Sequence, residues 1–399
     1  MSSDWDNDIP SAPGAETPAP DGEDSYLAIL KDRIKARKQT HGAAAPAERD
    51  PAMLDAFIRA LDSDNPDPGA LYARGRTYYQ LGRYAEALAD FTRALVLRPD
   101  HPATWHRRGN TYYELGRYAE ALADFTRSLA LRPDHAGALS DRGRTYAMLG
   151  RYAEALADLD RAVQRQPDHP DIRYNRGLTY YRQERYAEAL ADFTRALAAR
   201  PGDPDLLYSR GNAYNALGRL AAAVADYSAV LARAPQHQAR TNRGITYHQL
   251  GYHAEALADL TAELARRPAD PLLLSHRGNV HSALHHPEAA LADFTASLAA
   301  RPGHIPTLIN RGITYQRLGR NAEALADYRQ ALALAPDDPA VLYNLACFHS
   351  LQGDALAALT VLRAAVRGNP AFRRMAAADP DFGGLRADPA FCALVEEPR

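Results

Sequence analysis

The stretch Trp105–Pro133, WHRRGNTYYELGRYAEALADFTRSLALRP, recurs with small changes through most of the 399-residue chain. Pro99, Pro133, Pro167, Pro201 and Pro235 lie 34 residues apart, Pro268 follows after 33, and Pro302, Pro336 and Pro370 resume the step of 34. Glycines keep the same beat at Gly75, Gly109, Gly143, Gly177, Gly211, Gly244, Gly278 and Gly312, with Ala346 in the ninth place. Self-similarity at such a period marks a solenoid of stacked units. Within one unit, Trp105, Gly109 and Tyr112 fall on one face of a first helix, while Tyr118, Ala121, Leu122, Phe125 and Leu129 form the stripe of a second. Gly116 is placed for a left-handed turn between them, and Pro133 stops the second helix. Gly109 and Ala121 are small, which predicts a close crossing of the two helices. One unit cannot bury both its faces, so stability must come from neighbours and the array needs a cap at each end.

The unit resembles the tetratricopeptide repeat, a helix-turn-helix of this period. In the second copy the residues that carry the resemblance are Trp105, Gly109, Tyr112, Ala121, Phe125 and Pro133, with Ser128 at a place that takes a small residue. The resemblance covers about Asp67 to Pro370 in nine copies. It implies an all-α, right-handed superhelical solenoid whose first helices line a concave groove, and a scaffold or adaptor that holds an extended peptide or partner segment there. A peptide-responsive sensor, or the regulatory subunit of an enzyme complex, is the alternative.

Composition narrows the function. Net charge is −2 and the pI about 6.7, so a wholesale polyanion partner, including nucleic acid, is not expected. Only Cys347 and Cys392 are present, too few for a disulfide framework and consistent with a reducing, cytoplasmic setting. Apolar runs are too short to insert across a membrane. No phosphate loop, nucleophile elbow or paired carboxylates stand in a distinct domain, so a non-enzyme without cofactor or metal is expected. His281 and His285 lie four apart, but no carboxylate or cysteine completes a ligand set.

Outside the repeats, residues 1–24 hold seven acidic residues and no basic one, and read as a disordered Pro-rich tail. Residues 25–66 read as an amphipathic helix from Ser25 to Gln39, a flexible stretch, and a capping helix from Pro51 to Ser63. Residues 67–370 are the nine repeats, and 371–399 are three short capping pieces, two of them opened by Asp379-Pro380 and Asp388-Pro389.

One pattern within the repeats is structural. Arginine precedes the repeat glycine in copies one to eight, from Arg74 to Arg311, and aspartate lies fifteen residues after each glycine, from Asp90 to Asp327. In copy nine both turn apolar together, as Leu345 and Val361, which predicts a ladder of ion pairs between helices, within or between repeats.

The other face of the first helix carries the functional reading. The places two before and one after each glycine are three apart and share a face. Seven copies put asparagine there: Asn110, Asn175, Asn212, Asn242, Asn279, Asn310 and Asn344. A carboxamide offers donor and acceptor together and suits a peptide group of any sequence. At about 1 kcal/mol per bonded site, four such sites barely offset the ~4 kcal/mol or more lost on association, so tyrosine pockets are needed as well. Tyr72, Tyr79, Tyr113, Tyr174, Tyr181, Tyr208 and Tyr343 project from the same helices, with Tyr174 and Tyr208 the leading candidates. Arg76, Arg107 and Arg144 add cationic groups in the first three copies, which suits acidic segments. The partner and the oligomeric state stay open at this point.

Overall fold

The computed structural model describes residues 67–235 and 238–396. The acidic stretch 1–24 and the helices expected over 25–39 and 51–63 lie outside the described residues. Among these there are 21 helical elements and no strand. They fall into two compact units, one ending at Ala239 and one beginning at Arg240.

The first unit holds five helix pairs: α1 Pro68–Gln80 and α2 Tyr84–Leu97; α3 Pro102–Glu114 and α4 Tyr118–Leu131; α5 Ala136–Met148 and α6 Tyr152–Arg165; α7 Pro170–Arg182 and α8 Tyr186–Ala199; α9 Pro204–Ala216 and α10 Leu220–Arg233. Within this unit each helix packs on the next in sequence, and successive first helices pack on one another. The second unit continues the helix pairs with α11 Ala239–Gln249, α12 His253–Arg266, α13 Pro271–Ala283, α14 Pro287–Ala300, α15 Ile305–Arg317, α16 Asn321–Leu334, α17 Pro339–Leu351 and α18 Ala355–Gly368. It ends in α19 Ala371–Ala378, a 3-10 turn Pro380–Leu385 and α20 Pro389–Val395. Phe372, Phe382 and Phe391 from these last pieces are buried with Leu342, Tyr343 and Leu362 of the ninth repeat. Asp379 and Asp388 cap them, accepting from the amides of Asp381 and of Ala390 and Phe391.

The repeat glycine is explained by the second helix's ring rather than by Ala121. A Cβ on Gly109 would lie 2.7 Å from Cε1 of Phe125, and one on Gly278 2.5 Å from Cε1 of Phe294. Both rings are fully buried and cannot move aside. The turn glycine answers to a different constraint. Gly116 has φ +74°, and the amides of Gly116 and Arg117 reach back to the carbonyls of Tyr113 and Tyr112.

Two turns keep that shape without glycine. Glu184 and His285 sit at φ 59° and 57°, and the amides of Glu184 and Arg185 make the same two bonds back to Tyr181 and Tyr180. A side chain in this region costs about 1–3 kcal/mol, while a glycine gives back about 0.4–1 kcal/mol through the unfolded chain. Glu184→Gly will therefore raise stability by about 0.5–1 kcal/mol in urea unfolding; a decrease would mean that the exposed Glu184 side chain supports the turn.

The ladder of ion pairs is present in full and lies within each repeat. In all eight copies the arginine donates Nε and Nη2 to the two carboxylate oxygens of its aspartate at 2.6–2.8 Å, as in Arg74–Asp90, Arg176–Asp192 and Arg311–Asp327. Each aspartate is buried. Outside the pair the arginine lies over a tyrosine, Arg142 over Tyr146 and Arg311 over Tyr315, and a turn arginine covers the same ring, Arg151 and Arg320 respectively. Arg173, in the place of Trp105, is absorbed the same way. Its Nε donates to the carbonyl of Pro167 as Trp105 Nε1 does to that of Pro99, and its Nη1 donates to Asp192.

Candidate functional site

The first-helix face of α1, α3 and α5 brings together Arg76, Arg107, Asn110 and Arg144. Asn110 and Arg144 occupy the same place in successive repeats, one after the glycine, and Arg107 stands one turn before Asn110 on α3. Arg144 crosses from α5 to α3, its guanidinium carbon 3.9 Å from the centre of the Tyr113 ring. Asp141 lies 3.6 Å from Arg144 and takes a 2.7 Å contact from His106 Nε2, a second tie between α3 and α5. Burial works against the charge of Arg144, but Tyr113, Asp141 and Glu114 beside it outweigh this and hold it protonated. Oδ1 of Asn110 and Nε of Arg144 are buried and meet no hydrogen-bond partner among the described residues. Asn110 is 8% exposed.

The other asparagines divide by what they touch. Asn175 donates to Ser140 Oγ of the preceding repeat at 3.0 Å, and Asn310 donates to Asn279 Oδ1 at 2.8 Å, so these three tie successive first helices together. Asn212 accepts from the Tyr227 hydroxyl at 2.7 Å inside its own repeat, and Asn344 donates to the Ala340 carbonyl of its own helix. Asn242 is half-buried and its carbonyl accepts from Thr246. The tyrosines go elsewhere. Tyr174 and Tyr208, 1% and 4% exposed, sit in the core against Phe193 and Tyr227 and are not open to a ligand. Tyr343 stacks on Phe372 of the cap, 4.6 Å between centroids. Position three before the glycine is thus a packing position, which the sequence could have shown through His106, Thr241 and Ser275 standing there without an aromatic ligand surface.

In the second unit the equivalent face carries histidines. Desolvation pushes His248 and His276 down to about 4, His248 further by the neighbouring His253, and His276 further by His248 and His304, with Asp270 opposing. His248 and His253 share one contact between their Nδ1 atoms at 3.1 Å, which needs at least one of them neutral. The ordinary value, near 6.5, applies to the unfolded chain. The folded state therefore binds fewer protons between pH 6.5 and 4, and stability falls as pH drops through that window. Acidification to pH 5 will cost this unit about 2 kcal/mol for each of the two histidines, about 4 kcal/mol at most together, read as a fall in urea midpoint. His248→Gln with His276→Gln will flatten the dependence, and a wild-type profile flat from pH 7 to 5 would refute it.

His281 does not join a metal set: its Nε2 is 3.9 Å from Asp293, and its ring centre 6.0 Å from that of His286. Among the described residues only Cys347, Asp379 and Asp381 place three potential ligand atoms together. Asp379 there caps the 3-10 turn and accepts from the Tyr343 hydroxyl at 2.7 Å, and burial pushes the Cys347 thiol up. No helix among the described residues is long and apolar enough to cross a membrane.

Comparison with known proteins fits this architecture. Sequence profiles described as tetratricopeptide repeat match residues 67–134, then 106–170, 149–204, 174–237 and 208–271, and finally 305–338. No curated protein sequence matches the chain. Solved structures that resemble it include a tetratricopeptide repeat protein from Parabacteroides merdae ATCC 43184, 20% identical over 62% of this chain and 98% of that one, TM-score 0.46. The Cut9–Hcn1 hetero-tetramer of the APC/C is 16% identical over 86% and 82%, TM-score 0.50, and yeast Tom70 is 17% identical over 76% of each chain, TM-score 0.42. On its period, its helix pairs and these profile matches, the chain belongs to the tetratricopeptide repeat family.

Proposed function

We propose that the first-helix face of α1, α3 and α5 holds an extended segment of a partner protein. Membership of the family supports a protein-interaction scaffold in general; the observation that carries the finer reading is the Asn110 carboxamide. Its Oδ1 is buried without a partner, which costs about 1–3 kcal/mol, and it stands one turn from Arg107 and one repeat from Arg144. Where α3 and α5 part enough to uncover Oδ1, a peptide N–H relieves that cost, and the arginines favour carbonyl or carboxylate groups on the same strand. Asn175, bonded to Ser140 of α5, sets the spacing of α5 and α7 beside such a strand, and Arg76 extends the surface toward the first repeat.

The test separates this role from packing. Replacing an orphaned acceptor by an apolar group of similar shape is neutral or favourable for folding, so Asn110→Leu will leave the urea midpoint unchanged or raised. The same variant in the full chain will bind extended peptides about tenfold more weakly, measured by fluorescence anisotropy on a defined panel of acidic, neutral and basic peptides. Unchanged affinity overturns the reading.

A further inference from the structure

We infer that residues 1–24 of this chain occupy the same face when no partner is present, acting as an intramolecular competitor. The inference rests on the proposed peptide face and adds its charge preference and its regulation. Among the described residues, the arginines preceding the repeat glycines are all paired with carboxylates, and turn arginines such as Arg83, Arg117, Arg151, Arg185 and Arg320 pair with a glutamate three residues on. Arg76 and Arg107 differ. Neither forms an ion pair with a described carboxylate, and Arg76 is exposed beside the Tyr72 ring. Arg144 has Asp141 at 3.6 Å, already engaged by His106, with Glu114 beyond ion-pair distance. This end of the first-helix face therefore carries cations in excess, next to an acceptor with no donor.

The stretch that complements it is in the same molecule. Residues 1–24 carry Asp4, Asp6, Asp8, Glu16, Asp21, Glu23 and Asp24 and no Lys or Arg. Asp4, Asp6 and Asp8 alternate, so on an extended strand they fall on one side. Residues 25–66 separate this stretch from α1, and even a wholly helical connection of that length reaches ~60 Å. Three neighbouring helices span roughly 30 Å at ordinary spacing. A tethered segment acts at an effective concentration in the millimolar range, so a contact too weak to persist between separate molecules is occupied within one. Exposed cations and carboxylates are screened by salt, which makes the competition dependent on ionic strength.

The experiment compares the full wild-type chain with a full chain in which the seven acids are neutralised (D4N, D6N, D8N, E16Q, D21N, E23Q, D24N). The probe is a labelled synthetic peptide of sequence 1–24, read by anisotropy at ~50 mM and ~500 mM salt, with the neutral and basic panel peptides alongside. The expected result is about tenfold tighter probe binding by the neutralised chain at low salt, a difference that closes at high salt, and loss of probe binding when Arg107→Glu is added. Equal probe affinity of the two chains at low salt overturns the inference and leaves the peptide face standing. A neutralised chain that binds panel peptides but not the probe does the same. Should the neutralised chain bind no peptide, the face itself falls, and the inference with it.

Discussion

Asp192→Ala will destabilise the unit ending at Ala239 by about 3–5 kcal/mol, the range for removing one partner of a buried ion pair. Asp192 is 2% exposed and accepts three donors: Nε and Nη2 of Arg176 at 2.6 and 2.8 Å, and Nη1 of Arg173 at 2.6 Å. Without it two guanidiniums are left under the surface, and arginine cannot shed its proton to escape. Its neighbours compensate only in part. Asp160 keeps one bond to Arg176 Nη1 at 2.7 Å, and the Pro167 carbonyl keeps Arg173 Nε. Repeats exchange energy mainly with their neighbours, so amide exchange will quicken in α7 and α8 first. The midpoint of urea unfolding gives the magnitude, and a loss below ~1 kcal/mol would mean that water reaches these arginines. Asp192→Asn, which keeps the shape but not the charge, will fall between wild type and alanine.

Most of this architecture is legible in the sequence because the repeat period and the helical period are both explicit in it. Pro133, Gly116 and Gly109 each answer to one local constraint, and each falls where its constraint applies. The Arg–Asp ladder is legible for another reason: two residue types that appear in eight copies and vanish together in the ninth must meet in space. What spacing could not give is depth. Asn110, Asn175 and Asn212 take the same side of the first helix as Asn310, yet the first three are 8% exposed, Asn175 against the preceding first helix and Asn212 against its own repeat's second helix. Tyr174 and Tyr208 project from the same helices and so suggest groove residues, yet they fill the gap above Phe193 and Tyr227. A three-residue interval names the side of a helix that a residue takes, while the bulk on the neighbouring helix decides whether that side reaches solvent. Glu184 and His285 show the converse limit. The backbone bonds of the hairpin impose the left-handed residue whatever its side chain, so their turns keep the glycine geometry despite the altered sequence.

Arg311→Leu will cost about 3–5 kcal/mol, and Arg311→Leu combined with Asp327→Val will recover nearly all of it. The first substitution strands the buried carboxylate of Asp327, which has lost both its donors. The second removes the stranded charge. Replacing a complete buried pair by apolar residues of similar bulk is commonly neutral or stabilising by about 1–4 kcal/mol, and this chain contains its own precedent. In the ninth repeat Leu345 and Val361 stand at these places and pack with Tyr328 and Phe348. One contribution will not return: Arg311 also lies over the Tyr315 ring at 5.7 Å, a contact worth about 0.5–1 kcal/mol at such a site. Arg320 keeps the other contact with that ring at 4.5 Å. The double variant is therefore expected within ~1 kcal/mol of wild type, and the four-membered cycle should give a coupling of roughly 3 kcal/mol. Additive losses would mean that the two residues act separately. The expected coupling, with a double variant as stable as wild type, would assign the eight-fold ladder to another role: a two-pronged bond holds the second helix at one height against the first, which an apolar stripe alone leaves free to slide.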